Sequence, residues 1–143
     1  MTPRRTLLWL LVSASVCSGG EILFTSGPQE FSGRKYYWLA QWKLEITIPN
    51  GITANDRLDV LFGSKGPAKR TLYFDYDGKS GSFSHVGQAD GYAWTTLTLG
   101  RLEAGKKAIL YGKGQQSVAF LAGIRIGGKS GPAPKVRPIR TAG

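Results

Sequence analysis

The clearest pattern in the chain is a strict alternation of apolar and polar residues over positions 41–48. Trp42, Leu44, Ile46 and Ile48 take every second position, and polar residues stand between them. A period of two is typical of a β-strand with one face buried and one face in solvent. The turn sequence from Pro49 to Gly51 ends the strand. This segment therefore predicts a half-buried strand in an antiparallel sheet.

Seven further segments show β-type patterns, each bounded by turn residues. The predicted strands cover residues 22–25, 41–48, 57–62, 70–76, 82–86, 92–99, 108–113 and 118–126. In the last of them, alternation places Val118, Phe120, Ala122, Ile124 and Ile126 on one face. No helical periodicity of useful length occurs, and turn signals recur about every ten residues. We expect an all-β fold, a two-sheet antiparallel β-sandwich of about eight strands.

Composition supports this fold class and limits the chain to one domain. The chain has 143 residues, with 20 Gly, 7 Pro and 11% aromatic residues. That much glycine suits a turn-rich β protein better than a helical bundle. The expected sandwich covers residues 21–128.

The first twenty residues have the layout of a secretory signal peptide. Arg4 and Arg5 precede an apolar run over residues 7–11, which fades into small residues. This run is too short to span a bilayer. We expect cleavage after Ala14, Ser18 or Gly20, and a secreted or periplasmic protein without a transmembrane segment. The alternative is that residues 7–16 are an ordinary buried segment.

Cys17 is the single cysteine of the chain. The mature domain is therefore expected to hold no internal disulfide and no thiolate metal cluster. Residues 14–17 loosely resemble a bacterial lipobox, so a lipid anchor on Cys17 is an alternative to its removal with the leader.

A net charge of +10 makes the distribution of the 19 basic residues important. Six of them lie in the leader or in the C-terminal segment 129–143, so the central region carries only about +4. That segment is rich in Gly and Pro and poor in apolar residues. We expect a disordered basic tail there.

The order of these strands and turns resembles the galactose-binding-like jelly rolls, in particular bacterial carbohydrate-binding modules. The resemblance is carried by residues 42–49 with Gly51, residues 57–60, 76–78, 94–100, 102–105 and 122–126. It implies non-catalytic binding of a polysaccharide or glycan. Such modules commonly have a polar Asn-Leu-Asp segment before the last strand, where this chain has Phe120-Leu121-Ala122. We therefore expect neither calcium nor any other cofactor to be bound.

Aromatic residues supply the candidate sugar site. Sugars stack on aromatic faces and need a few fixed polar groups beside them. The residues proposed to bind the ligand are Tyr36, Tyr37, Trp38, Tyr92, Gln41 and Asp90, with Gln88 as a further polar partner. The competing interpretation is that the large aromatic residues, Trp38, Trp42 and Trp94 above all, fill the core of the sandwich.

Catalytic and metal-binding groups are scarce. His85 is the single histidine, its flanking serines favour a surface hairpin, and Asp75 and Asp77 are the one local pair of acids. We expect a protein that is not an enzyme.

Two alternatives belong to other functional classes. Basic loops are expected to bind an anionic polymer or sulfated glycan through Lys65, Lys69, Arg70, Lys106 and Lys107, helped by the tail. Export argues against a nucleic-acid partner. The other alternative is a structural or assembly protein of the cell envelope, with the tyrosines as interface anchors.

Overall fold

The computed structural model describes residues 16–18, 20–53, 56–87, 89–114, 117–127 and 131–141. These ranges form twelve β-strands, and they contain no helix long and apolar enough to cross a membrane. In chain order the strands are β1 (Val16–Ser18), β2 (Glu21–Leu23), β3 (Gln29–Phe31), β4 (Arg34–Trp38), β5 (Trp42–Thr47), β6 (Leu58–Ser64), β7 (Lys69–Tyr76), β8 (Lys79–Val86), β9 (Gly91–Leu97), β10 (Lys107–Tyr111), β11 (Phe120–Ile126) and β12 (Lys135–Arg140).

The strands form two antiparallel sheets, which confirms the predicted all-β sandwich. In the seven-stranded sheet β11 is central, because it pairs with β6 along one side and with β2 and β4 along the other. Strands β9, β1 and β3 extend this sheet from β6, β2 and β4. The five-stranded sheet has the order β12-β5-β10-β7-β8. The structure has four strands beyond the expected eight, namely β1, β3, β4 and β12. Their sequences show little apolar alternation and so did not indicate strands.

The core lies between the sheets and follows the alternation seen in the sequence. Leu44 and Ile46 of β5 are fully buried, and so are Val60 and Phe62 of β6 on the opposing sheet. Burial of one such side chain contributes about 2 kcal/mol, so this layer is the main source of stability. The residues between them point outward and give each sheet a separate outer face.

A β-bulge in β11 corrects one predicted face. On the β6 side, Leu121 pairs with Phe62 but Ile124 pairs with Val60, so β11 carries one extra residue between these pairs. A bulge of this kind changes the side on which the following residues point. Leu121 and Ile124 therefore both lie in the core, whereas Phe120 lies in a second cluster on the outer face. The expected common face of Phe120, Ala122, Ile124 and Ile126 is wrong for this reason.

The C-terminal segment corrects a second expectation. Residues 135–140, predicted to belong to a disordered tail, form the edge strand β12, which pairs with β5 over six residues. Backbone hydrogen bonds need no apolar composition, and an edge strand tolerates Pro138. Val136 also packs against the core.

The sandwich therefore extends beyond residue 128. At the other end, residues 1–15 of the predicted leader lie outside the described residues. Residues 16–18 pair with β2 as strand β1.

Candidate functional site

The structure separates the two tyrosines that were expected to line one site. Tyr36 and Tyr37 are neighbours in β4, so they point to opposite faces of the seven-stranded sheet. Tyr37 lies in the core, edge-on to Phe24 and Trp42 at centroid distances of 5.3 and 5.1 Å. Its hydroxyl lies 3.1 Å from the Ser26 hydroxyl. Tyr37 therefore has no face to offer to a sugar.

Tyr36 lies on the outer face but is buried there against Phe120. The two ring centroids are 4.8 Å apart, and the Tyr36 hydroxyl donates to Gln29 Oε1 at 2.6 Å. Burial raises the pKa of Tyr36, although the charge of Arg70 opposes the shift. Tyr36 is thus a packed and internally bonded side chain.

Tyr92 and Phe31 complete this outer layer around Phe120. Their rings lie 5.8 and 5.7 Å from the Phe120 ring, and the Tyr92 hydroxyl donates to the Phe31 carbonyl oxygen at 3.0 Å. Burial raises the pKa of Tyr92 to about 12. Trp38 packs half-buried against the same cluster. The expected set of Tyr36, Trp38 and Tyr92 does share a face, but its hydroxyls are already bonded within the protein.

Two of the polar residues expected beside the tyrosines take part in hydrogen bonds with backbone groups. Asp90 accepts a hydrogen bond from the Gly66 N–H at 2.7 Å and so holds the loop between β6 and β7. Gln41 is half-buried in the turn before β5, and its carbonyl accepts from the Thr141 N–H. Gln88 lies outside the described residues.

The predicted basic residues fall into two separate groups. Lys69 and Arg70 begin β7, whereas Lys106 lies beside Asp77, just past the end of that strand. Eight residues of strand place these ends about 23 Å apart. The five residues therefore do not form one surface.

The second of these groups is paired with acids. Lys106 forms a 2.7 Å ion pair with Asp77, and Lys107 lies 3.6 Å from Glu45. This pairing raises the pKa of Lys106 and lowers the pKa of Asp77, mainly through the hydrogen bond between them. These lysines are largely neutralised within the protein.

A groove of about 370 Å³ lies on the outer side of the five-stranded sheet. Its position follows from the pairing of β5 with β10, which stops at Leu44 and Leu110. Beyond that point the two strands are no longer bonded, and the groove lies where they part. Its lining residues are Leu39, Trp42, Lys43, Asp75, Ile109, Tyr111, Gly112 and Thr141.

Asp75 and Tyr111 form the polar centre of the groove. The Tyr111 hydroxyl donates to Asp75 Oδ1 at 3.2 Å, and the Ser80 hydroxyl donates to the same oxygen at 2.6 Å. Burial and the neighbouring carboxylate raise the pKa of Tyr111, which keeps its hydroxyl protonated as a donor. Asp75 Oδ2 accepts no hydrogen bond from the described residues, and the side chain is exposed. This oxygen is available to a ligand.

Aromatic and cationic groups flank this centre. Tyr73 and Tyr111 face each other across β7 and β10, with centroids 5.9 Å apart and rings inclined by 27°. Lys113 Nζ lies 4.4 Å from the Tyr73 centroid. On the opposite wall, the indole Nε1 of Trp42 is buried without a hydrogen-bond partner among the described residues. The groove itself thus combines the Tyr111 side chain, an open carboxylate oxygen of Asp75 and the Lys43 side chain.

The sequence contained a signal for this groove. Alternation in residues 70–76 predicts Leu72, Phe74 and Tyr76 on the buried face, and the same alternation places Tyr73 and Asp75 outward. Alternation in residues 108–113 likewise places Tyr111 outward. The adjacency of β7 and β10 was the missing information, because these strands are more than thirty residues apart in the chain.

The structure also shows the positions of His85, Asp75 and Asp77, the residues considered as catalytic or metal-binding groups. His85 lies in edge strand β8 of the β7–β8 hairpin, as its flanking serines indicated, and it is half-buried, 5.4 Å from Phe62 and stacked at 6.5 Å on Phe83. Asp75 and Asp77 are bonded to different groups, the first to Ser80 and Tyr111 and the second to Lys106. Within the described part of the chain, no group of three or more His, Cys, Asp or Glu side chains is arranged to hold a metal ion.

Comparison with known proteins gives little additional information. No protein-family model matches the chain, and no curated protein matches it. Among solved structures, the chain is similar to a ruminal GH26 endo-beta-1,4-mannanase, with 15% sequence identity and a TM-score of 0.44. The match covers 79% of this chain and 24% of the mannanase chain. A functional assignment must therefore rest on the geometry of the groove.

Proposed function

We propose that this chain is a non-catalytic carbohydrate-binding domain that holds a polysaccharide or glycan in the groove between β5, β7 and β10. The observation that carries this proposal is the presence of the Tyr111 ring beside an open Asp75 carboxylate oxygen within a groove of about 370 Å³. Small-molecule sites usually lie within about 300–1,000 Å³ and combine apolar walls with a few polar groups.

The chemistry of the groove fits a sugar. The C–H face of a pyranose packs on an aromatic ring, and its hydroxyls donate to a carboxylate oxygen. Asp75 Oδ2 is the acceptor, and Lys43 is a donor on the opposite wall.

The carboxylates support binding without catalysis. Glycoside hydrolysis needs two carboxyl groups on either side of the scissile bond, about 5–9.5 Å apart. Asp75 is the single acid among the described residues that line the groove. Its bonds to Ser80 and Tyr111 hold it as a hydrogen-bond acceptor.

A glycan array followed by isothermal titration calorimetry tests the proposal. We expect Tyr111→Ala to weaken binding of the best neutral oligosaccharide about 10-fold, because the stacking face is lost. Asp75→Asn should weaken binding by a similar factor, because a charged acceptor becomes neutral. Tyr111→Phe keeps the ring and should retain most of the affinity.

The matched control is Asp77→Asn, which changes an exposed aspartate outside the groove. It should leave the affinity unchanged. If Tyr111→Ala and Asp75→Asn bound as tightly as the wild type while circular dichroism showed an intact fold, the groove would not be the binding site.

A further inference from the structure

Two cations lie against one buried ring at the end of the sandwich that carries the β6–β7 loop. Lys65 Nζ lies 5.7 Å from the Phe120 centroid and 4.8 Å from the Phe31 centroid. The Arg70 guanidinium carbon lies 5.0 Å from the Phe120 centroid. We call this place the Phe120 corner and define it by Lys65, Arg70, Phe31 and Phe120.

The side chains of the corner are held in position. The Arg70 Nη1 donates to the Val118 carbonyl oxygen at 3.0 Å. The loop that carries Lys65 is fixed by the bond from the Gly66 N–H to Asp90. Cation–π contact orients both cations over aromatic faces. The corner is thus preorganised and needs little ordering to bind a ligand.

Neither cation of the corner is neutralised. The ion pairs between described residues involve Lys106, Lys107, Arg125 and Arg137, and none involves Lys65 or Arg70. Two like charges beside one ring repel each other, and a shared anion removes that repulsion. The Nε of Arg70 is buried without a hydrogen-bond partner in the described ranges.

A neighbouring residue adds to the positive charge. Arg34 lies close enough to Tyr92, which packs on Phe120, to lower the pKa of that phenol against the larger effect of burial. The corner differs in this respect from Lys106 and Lys107, which have carboxylate partners.

We propose that the Phe120 corner binds one anionic substituent, the sulfate ester or carboxylate of an acidic glycan, between Lys65 and Arg70. This site is independent of the groove, because Arg70 and Asp75 lie five residues apart along β7, which is about 16 Å. A planar guanidinium with an adjacent ammonium suits a single oxyanion.

The geometry favours an acidic glycan over a nucleic acid. Single-stranded nucleic acids stack their bases on exposed aromatic faces. Phe120 is only 2% exposed, and its face is covered by Tyr36, Tyr92 and Phe31. Duplex binding needs basic groups along a succession of phosphates. Here the two cations without an ion pair both lie within 5.7 Å of one ring centroid, that of Phe120.

The test compares a heparin-derived hexasaccharide with the same hexasaccharide after chemical desulfation, by calorimetry at low and moderate salt. The wild type should bind the sulfated form more tightly, and the difference should shrink with salt. We expect Lys65→Gln to weaken sulfated-sugar binding about 5-fold. Arg70→Lys, which keeps the charge but loses the planar fork, should weaken it as well.

The matched control is Lys79→Gln, which removes an equal charge from an exposed lysine at the β7–β8 turn. It should change the affinity less than 2-fold. Equal effects of Lys65→Gln and Lys79→Gln would mean that net charge alone attracts the ligand, and this would overturn the proposal. Equal binding of the desulfated sugar, or tighter binding of a single-stranded DNA of equal charge, would overturn it too.

The two proposed sites fail independently. Tyr111→Ala should weaken binding of neutral glycan about 10-fold and leave the preference for the sulfated form intact. Lys65→Gln should weaken the preference for the sulfated form and leave binding of neutral glycan intact.

Discussion

The outer faces of the two sheets carry similar residues in opposite states. On the seven-stranded sheet, Tyr36 and Tyr92 are packed on Phe120, and their hydroxyls bond to Gln29 and to the Phe31 carbonyl. On the five-stranded sheet, Tyr111 shares its hydrogen bond with an exposed aspartate that keeps one oxygen open. The first face is a second core, and the second face is a surface able to bind.

This difference shows that aromatic residues alone do not distinguish an open face from a packed one. What separates the two faces is the bonding of the polar groups beside the rings. Where every hydroxyl has a partner within the protein, a ligand must compete with that partner. Where an exposed carboxylate oxygen has none, a ligand adds a bond without breaking any.

The largest expected effect is the loss of stability from Phe120→Ala. Phe120 is 2% exposed and contacts three other aromatic rings, so its truncation should cost about 3–5 kcal/mol. Urea unfolding, followed by fluorescence of Trp38, Trp42 and Trp94, measures this loss. Tyr111→Ala should cost clearly less, because Tyr111 is only half-buried.

A similar cost for both variants would break the comparison between the two faces. It would mean that the groove residues are as structural as the Phe120 layer. Binding of neutral glycan by Phe120→Ala, measured well below its unfolding midpoint, should remain.

A second prediction concerns Gly63, which lies under the Phe120 ring. A Cβ added at Gly63 would overlap the Phe120 ring, so Gly63→Ala should destabilise the protein by about 1–3 kcal/mol. In the Phe120→Ala variant the ring that blocks this Cβ is absent. The same change should then stabilise the strand by about 0.5 kcal/mol, because alanine loses less entropy than glycine on folding.

This double-mutant cycle isolates the contact between ring and strand. Additive effects of the two substitutions would show that Phe120 does not lie over Gly63. The ring would then not close this face.

The fold could largely be predicted because burial on one side imposes a readable period. The segment 41–48 shows this, since Leu44 and Ile46 are fully buried as alternation requires. Strand β12 could not be predicted in the same way. It is held by its backbone ladder to β5, which leaves almost no mark in the side-chain pattern.

The site was harder to predict for two physical reasons. Tyr36 and Tyr37 form one aromatic cluster in the sequence. Because they are adjacent in a strand, alternation places them on opposite faces of the sheet. The outward position of Phe120 depends on a bulge in β11, which changes the face of a strand without a sequence signal of its own. The groove depends on strands β5, β7 and β10, whose adjacency is a property of topology.

The smallest expected effect is a change in the titration of Tyr92. Burial raises its pKa from the ordinary value of 10.0 to about 12, because the phenolate would lose its hydration in the packed layer. The folded state therefore holds this proton more tightly than the unfolded state. The resulting stabilisation is complete below pH 10 and is lost as the pH rises towards 12.

Difference absorbance titration of the wild type and Tyr92→Phe measures this ionisation directly. The difference curve should have its midpoint near 12, and Tyr92→Phe should lose about 0.5–1.5 kcal/mol of stability at neutral pH with the hydrogen bond to Phe31. A midpoint near 10.0 would show that the Tyr92 hydroxyl is open to water. The outer face of the seven-stranded sheet would then be as accessible as the groove, and Tyr36 and Tyr92 would again be candidates for sugar binding.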